Sequence, residues 1–442
     1  MSTDLDVAIV GAGIAGLALA YRLRAAGRTV HVFEAAPHVG GRMRTVRREG
    51  YVLDTGAEMV GTNGYPATWR LAGDLGLGLA DAPLLDAPLA MWREGAAHPG
   101  VGDLSAMFHG AGMALGGRAS LAKLMAGAGL RKRAYDVDRP DRTPLGTATI
   151  REMSRRLHPD VHDYLLQPMA GGFFGWDTER AAAGPMMSHL LAVGATRTFR
   201  TWRHGMDTLA RELAGRVDVS IGVPVHEVVA GAHGATLVVD GAPLRARTVV
   251  LCVPAPVAAE LHADVPEFVR ACEFRPTVKV ICLLDRPIEP AGGSPAFGVT
   301  VPAVENPAFA GFLIDDRKPD RVPAGRGLVT LFAGVGIADR LIDAPNDEVA
   351  DTLMSHAARY LPDLASVCRV SVVVRYRHGL PMPTEAALAE YRDFIRRPVS
   401  TVEYAGDWCV LRPSSEGAIR SAELTAERLL VGSDSALAVL GG

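Results

Sequence analysis

Lysine is scarce in this chain. Of 46 basic residues only four, at positions 123, 132, 279 and 318, are not arginine, a skew whose simplest origin is genome base composition. The formal net charge of −3 argues against binding to phosphate backbones as a main task. Cysteine is equally sparing: five residues, at 252, 272, 282, 368 and 409, an odd number with no C-x-x-C pair. That usage points to a reducing compartment, and Cys252 and Cys282 in their apolar surroundings read as small hydrophobes. Asp4 and Asp6 stand where a secretory signal would carry basic residues. Outside Val7–Leu23, which glycines interrupt, no run reaches the roughly 20 apolar residues that a membrane span requires. The expectation is a soluble, cytoplasmic protein without a transmembrane segment. Internal repeats and low-complexity tracts are missing. So are a Ser-His-Asp order and metal-ligand spacing; His204, His226 and His378 are scattered, and no metal is expected.

What is present is a compact globular composition, 48% hydrophobic, in a length that suits two or three domains. The stretch Asp6 to Ala35 organises the rest. Val7 to Val10 reads as a strand buried on both faces. Gly11-Ala12-Gly13-Ile14-Ala15-Gly16 follows as a G-x-G-x-x-G turn. Gly11 permits the tight turn, Gly13 removes a Cβ that would hold off a pyrophosphate, and Gly16 lets the next helix pack close. That helix, Leu17 to Ala26, ends at Gly27 and aims its N-terminal N–H groups at the phosphates. A second strand, Thr29 to Phe33, ends at Glu34, about 20 residues past the glycines, where an acid accepts from a ribose 2′-OH. The unit predicts dinucleotide binding, and the carboxylate disfavours a 2′-phosphate.

Val39-Gly40-Gly41-Arg42-Met43-Arg44-Thr45 comes next, with Arg42 able to place a guanidinium fork on phosphates. Together with Leu53-Asp54-Thr55-Gly56-Ala57-Glu58-Met59-Val60-Gly61, Tyr404-Ala405-Gly406-Asp407-Trp408 and Glu416-Gly417-Ala418-Ile419, it resembles the flavin-containing amine oxidase superfamily. Monoamine and polyamine oxidases, protoporphyrinogen oxidase and phytoene desaturases belong there. The resemblance implies FAD as the dinucleotide. It carries cofactor contacts onto Gly11, Gly13, Ile14, Ala15, Gly16, Glu34, Ala35, Gly41, Arg42, Gly56, Ala57, Glu58, Met59, Val225, Gly406, Asp407, Gly417, Ala418 and Ile419. Asp407 is expected to accept from the cofactor's hydroxyls. Covalent attachment lacks a matching cysteine in Arg377-His378-Gly379-Leu380-Pro381, so the FAD should be non-covalent.

The fold class expected is α/β: a Rossmann-type FAD-binding domain of discontinuous segments, 1–76, 205–272 and 400–442. An interleaved α+β substrate domain of mixed sheet plus helices takes 77–204 and 273–399. Met91 to Arg93, Phe274–Leu284, Leu328–Phe332 and Val370–Tyr376 read as strands of the latter. Ala119–Arg133 reads as a solvated basic helix, a membrane-surface role being the alternative. Thr147 to Leu166 reads as one helix, broken by the segment from Gln167 to Asp177. That segment resembles the one closing over the cavity in protoporphyrinogen oxidases and desaturases; an aromatic turn filling core is the other reading. Asn346–Tyr360 is a helix with Asp347 and Glu348 at its positive end.

Lys279 is the candidate catalytic residue. It stands in Thr277-Val278-Lys279-Val280-Ile281, a run apolar on both faces, where an ammonium must be paired, deprotonated or snorkelling. Relatives have a lysine in the matching strand, linked through a water to flavin N5. Their aromatic cage, however, needs a Tyr where Ser414-Ser415 stand, and Phe173 or Trp408 is the candidate replacement wall for the substrate. Glu58 is expected near the flavin plane or as an exposed loop acid, and Glu416 as a helix-start acid. The function expected is oxidation of a C–N or C–C bond in a small to mid-sized, largely apolar molecule by hydride transfer to flavin N5. O2 or another acceptor would reoxidise the flavin. Alternatives are a protoporphyrinogen oxidase or phytoene desaturase-like C–C dehydrogenase, a redox-neutral flavin-dependent isomerase, and an inactive flavin-binding relative. A homodimer is compatible with the sequence.

Overall fold

The computed structural model describes residues 5–100, 112–194 and 196–440; the first four residues, Asp4 among them, 101–111, 195 and the last two lie outside it. Among the described residues two seven-stranded sheets carry the fold. At the centre of the first lie the strands Leu5–Val10 and Val30–Glu34, paired in parallel, with Ala242–Leu251 parallel on the other side. The remaining members arrive from distant segments: Val219–Ile221 beside Val30–Glu34, the hairpin Val225–Gly231 and Gly234–Val239, and Val402–Tyr404. Strands buried on both faces must be apolar throughout, and Val7 to Val10 all are. The helix Ile14–Ala25 starts inside the glycine turn, three residues earlier than its apolar run suggests. Asp240-Gly241, both at positive φ, turns the chain into Ala242–Leu251, which begins before the expected Thr248.

The second sheet runs in the order Cys368–Met382, Glu273–Leu284, Gly327–Ala333, Phe309–Ile314, Gly298–Thr300, Leu89–Arg93, Ala96–Pro99. One face of Glu273–Leu284 (Val278, Val280, Cys282) packs on the helix Asn346–Ala357 and its neighbours. The other face, with Ile281 and Leu283, packs on Tyr51 and Leu53 of the strand Tyr51–Asp54. Side chains alternate along a strand, so Lys279 falls on that second face.

The helix expected over Thr147–Leu166 is instead interrupted, and the break expected at Gln167 is absent. A short turn, Ile150–Ser154, ends early; Pro159 starts a new helix that continues through π turns at His162–Leu166 and Met169–Phe173. Proline fits the first turn of a helix. Pro168, inside it, has no N–H for an α-helical bond, and wider turns on both sides absorb that loss. The basic helix spans Leu115–Leu130, not Ala119–Arg133. No described helix is long and apolar enough to cross a membrane.

Candidate active site

The glycine turn meets its geometric requirements. Gly11 has φ +103°, and a Cβ on Gly16 would stand 2.0 Å from the Gly11 carbonyl oxygen, so both positions need glycine. Gly13 is different: an added Cβ would meet nothing within 4 Å, and the residue lines a cavity. The helix Ile14–Ala25 has no side-chain cap, and Ile14 and Ala15 also face that cavity. Uncapped helical N–H groups beside an open cradle suit a phosphate. Glu34 lines the same cavity, its carboxylate accepting from the Ala12 N–H at 2.7 Å and the Ala36 N–H at 2.8 Å. Ala35 is exposed beside it. Val225 is buried just beyond Val223, whose N–H donates to the Glu34 carbonyl at 2.8 Å; Val225 is not part of the cavity wall.

The two ends of the chain meet here. Arg42 donates both terminal nitrogens to Asp407, at 2.9 and 2.8 Å, and also contacts the Gly379 carbonyl at 2.9 Å. The fork expected on phosphates is thus spent on a carboxylate, and Asp407 also receives the Trp408 N–H at 3.0 Å. Gly41, Arg42, Gly406, Asp407 and Ala418 all line the cavity. Gly417 and Ile419 do not. Gly417 lies so close to the Arg412 carbonyl that a Cβ would come within 2.0 Å, and Ile419 is fully buried. Glu416 is buried and accepts from the N–H groups of Ala67 (3.0 Å) and Thr68 (2.8 Å) and from the Thr68 hydroxyl (2.9 Å). It therefore closes the N-terminus of the helix Pro66–Asp74, 348 residues away in sequence.

Lys279 is fully buried, and its ammonium donates to the carbonyls of Asp54 (2.8 Å) and Gly56 (3.3 Å) and to Glu58. The other oxygen of Glu58 takes Lys318 at 2.7 Å; Lys318 also pairs with Asp315 at 2.7 Å, and Arg321 with Asp54 at 2.9 Å. Three cations and three carboxylates thus share one buried network, as desolvation demands. Burial lifts the Glu58 carboxyl above its usual range while the two lysines pull it back. Burial works against the Lys318 ammonium, yet the Asp315 and Glu58 carboxylates hold its pKa up. Of this pair Glu58, with Gly56, Ala57 and Met59, lines the cavity; Lys279 stands behind it in the wall. Lys318 escaped the sequence reading, although half of the four lysines lie in this one cluster.

The cavity, about 650 Å³, continues from the glycine turn into an apolar chamber. Phe173 and Phe174, delivered by the π turns, line it with Phe199, Phe312 and Phe332. Tyr376 lines it too, its hydroxyl 2.7 Å from the Thr55 hydroxyl. Trp408 reaches the wall near the glycine turn, but its ring is packed on Phe268, Phe394 and Tyr404 and its Nε1 donates to the Val253 carbonyl. Tyr65, missed in the sequence, lines the cavity beside Ser414, and burial raises its phenol pKa. An aromatic ring from elsewhere in the chain thus stands next to the serines that replace the expected tyrosine. His189, also missed, lines the chamber from the helix Ala183–Val193. A histidine in the mostly apolar run Pro185–Val193 was the available signal. Cys252 is the described cysteine on the wall, and burial pushes its thiol far up, so it is not a thiolate. Cys409 is buried and likewise pushed up. Among the described residues no cluster suits a metal ion.

The sequence profile of the family described as flavin containing amine oxidoreductase matches residues 14–430. A putrescine oxidase double mutant has the same fold, with a TM-score of 0.79 and 21% identity over 97% of this chain and 99% of that one. Cyclohexylamine oxidase from Brevibacterium oxydans IH-35A gives 0.76 and 17% identity over 98% and 99%. Protoporphyrinogen oxidase 2, chloroplastic/mitochondrial, of Arabidopsis thaliana is 48% identical over 71 residues, 16% of this chain and only 14% of that protein.

Proposed function

Since the chain belongs to the flavin containing amine oxidoreductase family, we propose that this flavin-dependent oxidoreductase uses non-covalent FAD to oxidise a C–N or C–C bond of a small to mid-sized, largely apolar organic molecule. The observation that carries the reading is continuity: one cavity joins Gly13 and Glu34 to the chamber of Phe173 and Phe332. A cofactor laid from the glycine turn would end against the chamber where a substrate sits. Bound FAD supplies the acceptor for a hydride, at flavin N5. The electrons then pass to O2 or another acceptor.

The chain's own residues bind, orient and exclude water. Gly11, Gly13, Ile14 and Ala15 hold phosphates, Glu34 a ribose, and Gly41, Arg42, Gly56 to Met59, Gly406, Asp407 and Ala418 the remainder. Gly16, Gly417 and Ile419 fix the backbone behind them. The division of labour is FAD binding by 1–76, 205–272 and 400–442 and substrate binding by 77–204 and 273–399. Lys279 stands in the wall, and Glu58 is the group through which it reaches the cavity; the pair holds a water there and helps proton movement or reoxidation. The buried, protonated thiol of Cys252 supports a non-covalent cofactor.

The position of Phe173, at the end of a π turn, and of Phe174 just after it, both on the chamber wall, favours C–C dehydrogenation of a flat alkene as the second reading. Anaerobic mixing of the purified protein with apolar amines and with polycyclic alkenes, read by bleaching of the flavin, separates the two. Product without oxidant consumption marks a redox-neutral isomerase instead. A colourless protein that refuses added FAD overturns the proposal.

A further inference from the structure

Every cavity-lining carboxylate among the described residues is already engaged. Glu34 is held by two backbone N–H groups, Asp407 by Arg42, and Glu58 by Lys279 and Lys318. Among the described residues no free carboxylate on the wall is left to receive a substrate ammonium remote from the reacting bond. His189 is the opposite case, a polar side chain on the wall with no protein partner. Its Nδ1 is buried without a hydrogen bond, so the nitrogen that can meet a molecule in the chamber is Nε2, and the ring meets Phe174 edge-on, centroids 5.5 Å apart. Among the described residues no metal cluster surrounds it, and no carboxylate pairs with it as in an acid–base couple.

We propose that His189 is a specificity-determining residue that hydrogen-bonds a neutral polar substituent (hydroxyl, carbonyl or amide) of an otherwise apolar substrate. The inference rests on the reading of this chamber as the substrate site. The Nε2 of a neutral imidazole donates in one tautomer and accepts in the other, and so can meet groups of either kind. Burial and the nearby Arg412 guanidinium keep it neutral, its pKa lowered to about 3. The same guanidinium repels a second positive charge. Diamines, whose far end is an ammonium, are therefore excluded by the chamber that accepts a phenol or an alcohol.

Equilibrium dialysis of the flavin-loaded protein with 4-methylphenol, toluene and 1,4-diaminobutane tests this without relying on turnover. The phenol should bind about fivefold more tightly than toluene, the worth of one neutral hydrogen bond. The diamine should show no saturable binding at concentrations that saturate the phenol. In His189→Phe the preference should collapse to within about twofold with toluene binding retained, and His189→Gln, which keeps a donor and an acceptor, should restore part of it. Equal affinities in the native protein, a preference that survives His189→Phe, or a diamine bound as tightly as the phenol would each overturn the proposal. Dialysis of the flavin-free protein reports on His189 by itself, so failure to bind FAD and failure of this assignment are separate results.

Discussion

Lys279 and Glu58, 221 positions apart in sequence, form an ion pair inside the wall of the cavity, with Glu58 presenting the open side. The strand Glu273–Leu284 alternates, so the lysine must point where Tyr51–Asp54 delivers its carbonyls. Lys279→Met removes one cation from a balanced set of six charges. Breaking a buried pair in this way costs about 3–5 kcal/mol, so the variant should melt at a lower temperature. If the lysine also serves the reaction, stopped-flow rates of flavin reduction or reoxidation should fall; unchanged rates would remove it from the mechanism.

Two neighbouring glycines should behave differently. Gly16→Ala puts a methyl 2.0 Å from the Gly11 oxygen, in backbone that cannot step aside, and should destabilise the fold itself. Gly13→Ala has free space around its new methyl and should fold normally. It should nevertheless lose flavin, because the methyl occupies the close approach kept for the pyrophosphate. Melting curves and the ratio of flavin to protein absorbance distinguish the two effects.

Arg42→Ala strips Asp407 of two charge-assisted hydrogen bonds and removes one of the links between the N- and C-terminal segments. A stability loss of about 2 kcal/mol and weaker flavin retention are expected. Arg42→Lys, lacking the fork, should recover only part of either, as measured by urea unfolding and by dialysis of the flavin.

Glu416→Ala should leave the Ala67 and Thr68 N–H groups unpaired at a buried helix start. The expected cost is about 1–3 kcal/mol, with hydrogen exchange rising first in Pro66–Asp74. A catalytic role would instead lower turnover with no change in exchange.

His189 gives the acid limb of stability a predictable sign. Its folded pKa of about 3 lies below the ordinary 6.5, so below pH 6.5 the unfolded chain takes up a proton that the folded one does not. Stability therefore falls as pH drops from 6.5 towards 3, and by pH 5 this residue accounts for up to about 2 kcal/mol. His189→Gln should flatten urea-unfolding free energies between pH 7 and 5; an unaltered slope would show that the imidazole titrates normally.

The amino-acid sequence by itself determined the opening βαβ unit. A turn at φ +103°, a close helix and a terminal acid are local demands that only certain residues meet, so Gly11, Gly16 and Glu34 could be read directly. It also exposed Lys279, because an ammonium in an apolar strand needs an explanation wherever the chain folds. Tertiary structure alone decided what those groups touch. Arg42 found Asp407 rather than standing free, Glu416 capped a helix hundreds of residues earlier, and Trp408 turned into the core. The segment from Gln167 to Asp177 reads locally as a helix break, whereas the π turns that carry the helix past Pro168 depend on surrounding packing. Tyr65 carries no sequence signature, and the apolar run around His189 marks the residue without locating it, since their place on the cavity wall arises from contacts between segments far apart in the chain. Long-range pairing of this kind is set by desolvation: each buried charge or polar atom takes whichever partner the completed fold brings within reach.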